Sequence, residues 1–276
     1  MRIRYLHAMT KTVLGWLLQT PGALEALANH NCGWFYRKSA SDYSSIPDSP
    51  IAYWVSPSGK KAFTLNPKLS SVASALSGIT TGDNEKYIHL WWECDISRFC
   101  VEAGSIDDIE GCKAWFPCSK GGEFKKWYGN REQAIRFDME AQSQMRSLPG
   151  YRPVNMDKQF LEGITWTGIS SGMFACRLSP RGAMFDHKGP TCFPIENEKK
   201  WYLLGLLNSS VAMVFLKMLS PTLDFRERAV GNIPFASASK NQSEKVESLV
   251  RGAYLETRSA WDSSEISWDF KRHPLL

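Results

Sequence analysis

The segment Trp201–Leu219, WYLLGLLNSSVAMVFLKML, constrains the fold more than any other stretch. It is the most apolar run in the chain, and its length approaches that of a membrane span, about 20 residues. Asn208, Ser209 and Ser210 interrupt it. These residues stop one helix well and N-cap the next. The run therefore predicts two consecutive buried helices and no membrane-spanning one. A chain of 276 residues can house them, because a globule of that size hides roughly three quarters of its unfolded surface.

The rest of the chain divides by pattern. Tyr5–Ala28 has helical spacing (Leu6, Met9, Val13, Leu14, Leu17, Leu18), broken by Pro21-Gly22. Pro47 and Pro50 punctuate a loop, after which Ile51–Val55 reads as a buried strand. Lys68–Leu76 reads as a short helix, and Ile88–Cys94 as a strand. Residues 106–129 read as short strands and turns, and Asn130–Met145 as helix-prone. Between Gly163 and Pro194, four strand-like runs (ITWTGI, FACRLS, GAMFDH, TCFPI) are separated by Gly and Pro. After the two apolar helices come irregular segments, SPTLDF and GNIPF. An amphipathic helix over Glu244–Arg258 follows, with a polar tail carrying Trp261, Trp268 and Phe270. This order predicts an α+β fold with a β-rich centre and flanking helices.

Charge and motif content narrow the function classes. The net charge of +5 and pI near 8.8 favour a polyanionic partner and exclude a protein that imitates DNA. The seven cysteines (Cys32, Cys94, Cys100, Cys112, Cys118, Cys176, Cys192) are odd in number and follow no secretory signal, which predicts a reducing, cytoplasmic compartment. Four of them read Cys-x5-Cys-x11-Cys-x5-Cys, whereas zinc sites hold ligand pairs two to four residues apart; buried thiols are expected, and no metal. The eleven tryptophans are expected to be core rings for the most part, with Trp166 in the core. No Gly-x-Gly nucleotide loop, phosphate loop, His-Glu-x-x-His or Pro-Pro dipeptide occurs. GISSG, Gly168–Gly172, fits Gly-x-Ser-x-Gly, but a nucleophile elbow needs a strand before it and a helix after it. A strand-like run follows here, so a turn between strands is expected. The histidines (His7, His30, His89, His187, His273) are scattered, and Asp107-Asp108 sits on a polar turn. Nothing in the sequence predicts a self-sufficient active site.

Seven ordered stretches carry a resemblance: CGWFYR, SSIPDSPIAYWVS, TTGDNEKYIHLWWE, KGGEFKKWYGN, EGITWTGISSGMFACRLSPRGAMFD, YLLGLLNSSVAMVFLKMLSPTLDF and WDSSEISWDFKRHPLL. Together they resemble the C-terminal part of the PglX family, the adenine-specific DNA methyltransferases of BREX phage-defence systems, which are related to type IIG restriction-modification enzymes. The resemblance implies that S-adenosylmethionine and the Asn-Pro-Pro-aromatic loop belong to an N-terminal catalytic domain, and that the matched region recognises the DNA target. It also implies no cofactor in this chain, with S-adenosylmethionine serving the full-length family enzyme. On this reading residues 1–45 are a helical segment and the edge of the catalytic domain. Residues 46–235 are the DNA target-recognition domain, and residues 236–276 are a C-terminal helix and tail. The expected partner is double-stranded DNA, together with a separate methyltransferase domain or other BREX proteins, and no membrane. The alternative is a protein-interaction module that docks on a methyltransferase subunit or on other defence proteins. The chain departs from the family at RERAVGNIPF, where a Gly-Asp pair usually precedes Ile-Pro.

The division of labour has a chemical reason. Methylating an exocyclic amine requires the adenine to leave the stack. Another region must then grip phosphates and read flanking bases. Thr81, Gly82, Asp83 and Asn84 resemble a family motif at the start of the recognition region. Gly82 permits close backbone approach, and Asn84 can pair with adenine. The same residues are also good turn chemistry. The second candidate stretch is Lys120–Arg136. Lys120, Lys125, Lys126, Arg131 and Arg136 face only Glu123 and Glu132, a local charge of +3, with Trp127 and Tyr128 among them. A solvated turn with Trp127 in the core is the competing reading. Arg177, Arg181 and Lys188 are weaker phosphate candidates, read as strand edges and turns.

Overall fold

The computed structural model describes residues 28, 29, 31, 44–48, 50, 55–109, 113–170, 172–220, 222, 224–273 and 275. The expected N-terminal helix, apart from Ala28, lies outside them, as do Ile51–Trp54 of the expected strand and the CGWFYR stretch. The fold is mixed α+β, as expected, and is built on two four-stranded sheets. In the first, β1 (Ala73–Leu76), β10 (Thr191–Pro194), β7 (Gly163–Trp166) and β8 (Cys176–Ser179) lie in that order, all antiparallel. The second has the order β3 (Ile88–Leu90), β5 (Gln133–Arg136), β4 (Trp115–Ser119), β9 (Met184–Phe185), with β4 and β9 parallel. A small antiparallel pair, β2 (Thr80–Thr81) with β6 (Tyr151–Arg152), stands beside them.

The apolar run folds as anticipated. It forms α4 (Lys200–Leu207) and α5 (Ser210–Leu219), bent by 77° at the break, and no single described helix is long and apolar enough to cross a membrane. Asn208 ends α4, and the Ser209 hydroxyl accepts the Ala212 N–H to start α5. With α6 (Glu227–Gly231) and the long α7 (Lys240–Asp262), these helices pack on the first sheet. Trp166, Leu178, Leu203, Leu204, Leu216, Val230, Tyr254 and Trp261 share that core. A second core gathers Ile79, Tyr87, Phe116, Ile135, Phe137, Met145, Phe160 and Met184 around the second sheet.

Three local expectations are corrected. Lys68–Leu76 is a single 3-10 turn, Leu69–Ser71, followed by β1, because pairing with β10 fixes Ala73–Leu76 as strand. The strand expected over Ile88–Cys94 stops at Leu90, where the Glu93 carboxylate folds back to accept the Leu90 N–H and closes a 3-10 turn. Asn130–Met145 is helical only over α3 (Met139–Arg146), which Asp138 caps. Gln133–Arg136 is strand, with Ala134 and Ile135 buried between β3 and β4. Such short runs follow their partners rather than their own propensity.

Two buried amides bond both main-chain polar groups of a residue at a strand end. The Asn208 Oδ1 accepts the Cys176 N–H at 2.9 Å and its Nδ2 donates to the Cys176 carbonyl at 3.0 Å, joining α4 to β8. The Gln159 side chain does the same for Phe185 in β9, at 2.9 and 3.3 Å. Asn208→Ala leaves the buried Cys176 N–H without that acceptor. It is expected to lower stability by about 1–3 kcal/mol, read as a reduced urea midpoint with an unchanged m value.

Candidate nucleic-acid interface

The geometry of the candidate site follows from three segments that run parallel. Ile79 pairs in parallel with Asp186, just beyond β9, and Ser119 of β4 pairs in parallel with Phe185. Ile79 donates to the Phe185 carbonyl, His187 donates to the Ile79 carbonyl, and Asp186 donates to the Ser119 carbonyl. All three segments therefore exit at one end: Thr80–Gly82 from the first, His187–Gly189 from the second, Lys120–Gly122 from the third. Adjacent strands lie about 4.8 Å apart, so the exits fall within roughly 10 Å. Two stretches about forty residues apart in sequence, Thr-Gly-Asp-Asn and Lys-Gly-Gly, are brought to one edge.

The first loop is closed by its own side chains. Thr81 is buried; its hydroxyl accepts the Asp83 N–H at 3.2 Å and donates to Asn84 Oδ1 at 2.7 Å. Asp83 caps the one-turn helix α2 (Asn84–Tyr87) by accepting the Lys86 N–H. Gly82 has φ +84°, and a Cβ there would lie 2.9 Å from the Leu148 Cβ. The turn reading of this motif is thus realised in full. Asn84, half-buried, still offers its amide donors and a second lone pair on Oδ1. Exposed Lys86 and Asp83 sit beside it, and Arg152 lies opposite Thr80 in the β2–β6 register. Sequence reading missed Arg152, because only the strand pairing brings it there.

The basic stretch is divided by the fold. Lys120 stays at the strand exits. Of the remaining candidates, Lys125, Tyr128 and Arg131 turn toward α7 and the C-terminal tail. Lys126 Nζ donates to the Asn208 carbonyl at 2.9 Å, at the end of α4. Lys125 Nζ lies 5.2 Å from the Trp261 ring, and the Arg131 guanidinium 4.5 Å from Trp268. Arg131 also donates to the Tyr128 hydroxyl, and Tyr128 is buried edge-on against Tyr254. Burial pushes the Tyr128 phenol up, while Arg131 opposes the shift. Trp127 is half-buried with φ +72°; its N–H donates to the Cys176 carbonyl, and its own carbonyl accepts from Leu178. Arg136 pairs with Asp138 and Glu140. Arg177, a phosphate candidate by sequence, is instead 1% exposed beneath this loop; burial pushes its guanidinium down to about 10, and it donates to the Lys125 carbonyl.

Between the two loops sits the turn Asp186–Gly189. Asp186 is buried, and its Oδ1 accepts the N–H groups of Lys188 (2.8 Å) and Gly189 (2.9 Å). This holds His187 and Lys188 out in solvent. Its Oδ2 is buried, 3.8 Å from His187 Nδ1, with no hydrogen-bond partner among the described residues. Burial raises the Asp186 pKa, and the turn amides, His187 and Lys120 only partly offset this. On the far side, Gly168 donates to the Lys188 carbonyl and Thr167 to the Gly122 carbonyl, so the GISSG stretch adjoins the same edge. It connects β7 to β8, the turn between strands that was expected, and Ser170 Oγ accepts the Gly172 N–H. Among the described residues no group of three or more His, Cys, Asp or Glu side chains could hold a metal ion.

No protein-family model matches the chain. It is 37% identical over 263 residues to the adenine-specific methyltransferase PglX of Lacticaseibacillus casei (strain Zhang), a match covering 92% of this chain and 21% of that protein. It is 30% identical over 249 residues to the adenine-specific methyltransferase BrxX of Escherichia coli O9:H4 (strain HS), covering 89% and 19%. The expected resemblance therefore holds over about nine-tenths of the chain, which spans about a fifth of the length of these curated relatives.

The turn makes a pH-dependent prediction. The folded state holds the Asp186 proton more tightly than the unfolded chain does, so this group disfavours folding at neutral pH, and its penalty shrinks as pH falls through its raised value toward the ordinary 3.8. Asp186→Asn keeps the Oδ1 acceptor and removes the charge. It is expected to raise the neutral-pH thermal midpoint relative to wild type, with the gap narrowing on acidification. A gap that widens on acidification would contradict the assignment.

Proposed function

We propose that this chain is the duplex-DNA recognition segment of an adenine-specific methyltransferase of the PglX/BrxX type, with methyl transfer carried by another part of that enzyme. The observation that carries the reading is a match over nine-tenths of the chain to two proteins named as adenine-specific methyltransferases. The geometry supports it from a second direction. One edge gathers Lys86, Lys120, Arg152 and Lys188 with the carboxamide of Asn84. Lysine and arginine there suit phosphates, and an Asn side chain suits the N6/N7 edge of adenine. The domain division at residues 46 and 235 is retained in this proposal, with α7 bracing the basic loop from behind.

S-adenosylmethionine is assigned to the remainder of the enzyme. The glycine turns at the strand exits are already filled. A Cβ on Gly121 would lie 3.0 Å from the Lys188 carbonyl oxygen, and one on Gly189 would lie 2.1 Å from that of Ser119, so neither leaves a cradle for the methyl donor. On this reading residues of this chain bind and orient DNA, and methyl transfer is left to the rest of the enzyme.

Fluorescence anisotropy on duplexes at increasing salt tests the reading. Lys120→Ala and Lys188→Ala are each expected to weaken binding on every sequence and to reduce the salt slope by about 1. Asn84→Ala is expected to flatten the difference between preferred and random duplexes by about 1–3 kcal/mol at one position, with little change in the salt slope. A chain that ignores duplex DNA in dilute salt, even with the catalytic part supplied, would instead favour docking on a methyltransferase subunit.

A further inference from the structure

The loop from Gly168 to Met173 is not used by the phosphate and base contacts above. It carries two large apolar side chains into solvent, Ile169 at 65% and Met173 at 56% exposure. Single exposed apolar residues need no explanation. These two share one short loop, and its Thr167–Ile169 end is tied to its surroundings. Gly168 donates to the Lys188 carbonyl at 2.9 Å and accepts from the Phe225 N–H at 2.7 Å. Thr167 Oγ1 donates to the Gly122 carbonyl at 3.0 Å, and Ile169 forms a bridge with Asp224. Beneath the loop, Phe174 packs against Trp166 and Phe225, with ring centroids 6.0 and 5.1 Å away. The Thr167–Ile169 end is thus bonded directly to the turn that bears Lys188 and to the glycine loop that follows Lys120. Phe124, 54% exposed, projects from that same glycine loop.

Resting on the DNA-recognition reading, we propose that this loop is a wedge: Ile169, with Met173 beside it in the loop, enters the base stack of bound duplex while Lys120 and Lys188 hold neighbouring phosphates. An apolar side chain inserted at a base step unstacks it and bends the duplex, and flanking cations fix where it enters. Unstacking also eases removal of a base from the helix, which chemistry on an exocyclic amine requires. The sequence offers Gly-x-Ser-x-Gly here as a catalytic string; its serine instead accepts the Gly172 N–H and shapes the tip.

The test uses the full chain and two duplexes of one sequence, one intact and one with a single abasic site, each carrying 2-aminopurine at the neighbouring step. A wedge gains where unstacking is already done. Wild type is expected to bind the abasic duplex about tenfold tighter and to raise 2-aminopurine fluorescence in the intact one. Ile169→Ala should lose both effects while keeping the salt slope of binding, and Ile169→Leu should retain them. A wild type without lesion preference or fluorescence rise, or an Ile169→Ala protein that keeps them, would overturn the wedge. Because the salt slope reports the phosphate grip separately, a chain that binds DNA normally but lacks these effects sinks the wedge alone. A chain that binds no duplex sinks the recognition reading, and the wedge with it.

Discussion

The candidate interface is assembled through the main chain of Phe185. That residue lies in a strand only two residues long, yet every loop at the interface is fixed relative to it. Its carbonyl accepts from Ile79 and from Gln159 Nε2, and its N–H donates to Gln159 Oε1. Gly78 passes so close that a Cβ there would stand 2.0 Å from the Phe185 oxygen. Only a residue without a side chain brings the first segment into register with the second. A buried backbone polar group must find a partner, and here a long-range amide side chain supplies what a longer strand would have supplied.

From that point the chemistry of the edge follows. Parallel alignment places three exits side by side, and each exit begins with a polar or cationic residue: Thr80, His187 and Lys120. The Asp186 turn then sets the height of Lys188 by capturing two backbone amides. A polyanion would meet a row of cations whose backbones are held by hydrogen bonds, which limits the ordering cost on binding.

The basic stretch shows that residues alike in composition take different places in the fold. Lys125, Lys126 and Arg131 look equivalent to Lys120 along the chain. In the fold Lys125 and Arg131 lie against the Trp261 and Trp268 rings of the C-terminal helix and tail, and Lys126 bonds the end of α4. Lysine and arginine serve this role well, because their stems pack on rings while their heads find carbonyls or aromatic faces. Arg177 goes further and is buried outright, so its conspicuous place in a strand reflects internal support.

The apolar run of α4 and α5, broken by Asn208 to Ser210, was legible because capping is local: a few residues decide where one helix stops and the next begins. So were the short strands between Gly163 and Pro194 and the turn reading of Thr81–Asn84, and the ordered motifs were enough to reveal the resemblance to adenine-specific methyltransferases. Lys68–Leu76, Ile88–Cys94 and Gln133–Arg136 were misread because their state depends on partners dozens of residues away or on one side chain folding back. The tertiary structure alone decided which cations stand in solvent, which acid is buried behind them, and that two distant loops share an edge. Side-chain identity sets what a residue can bond, but strand pairing and burial set what is within its reach.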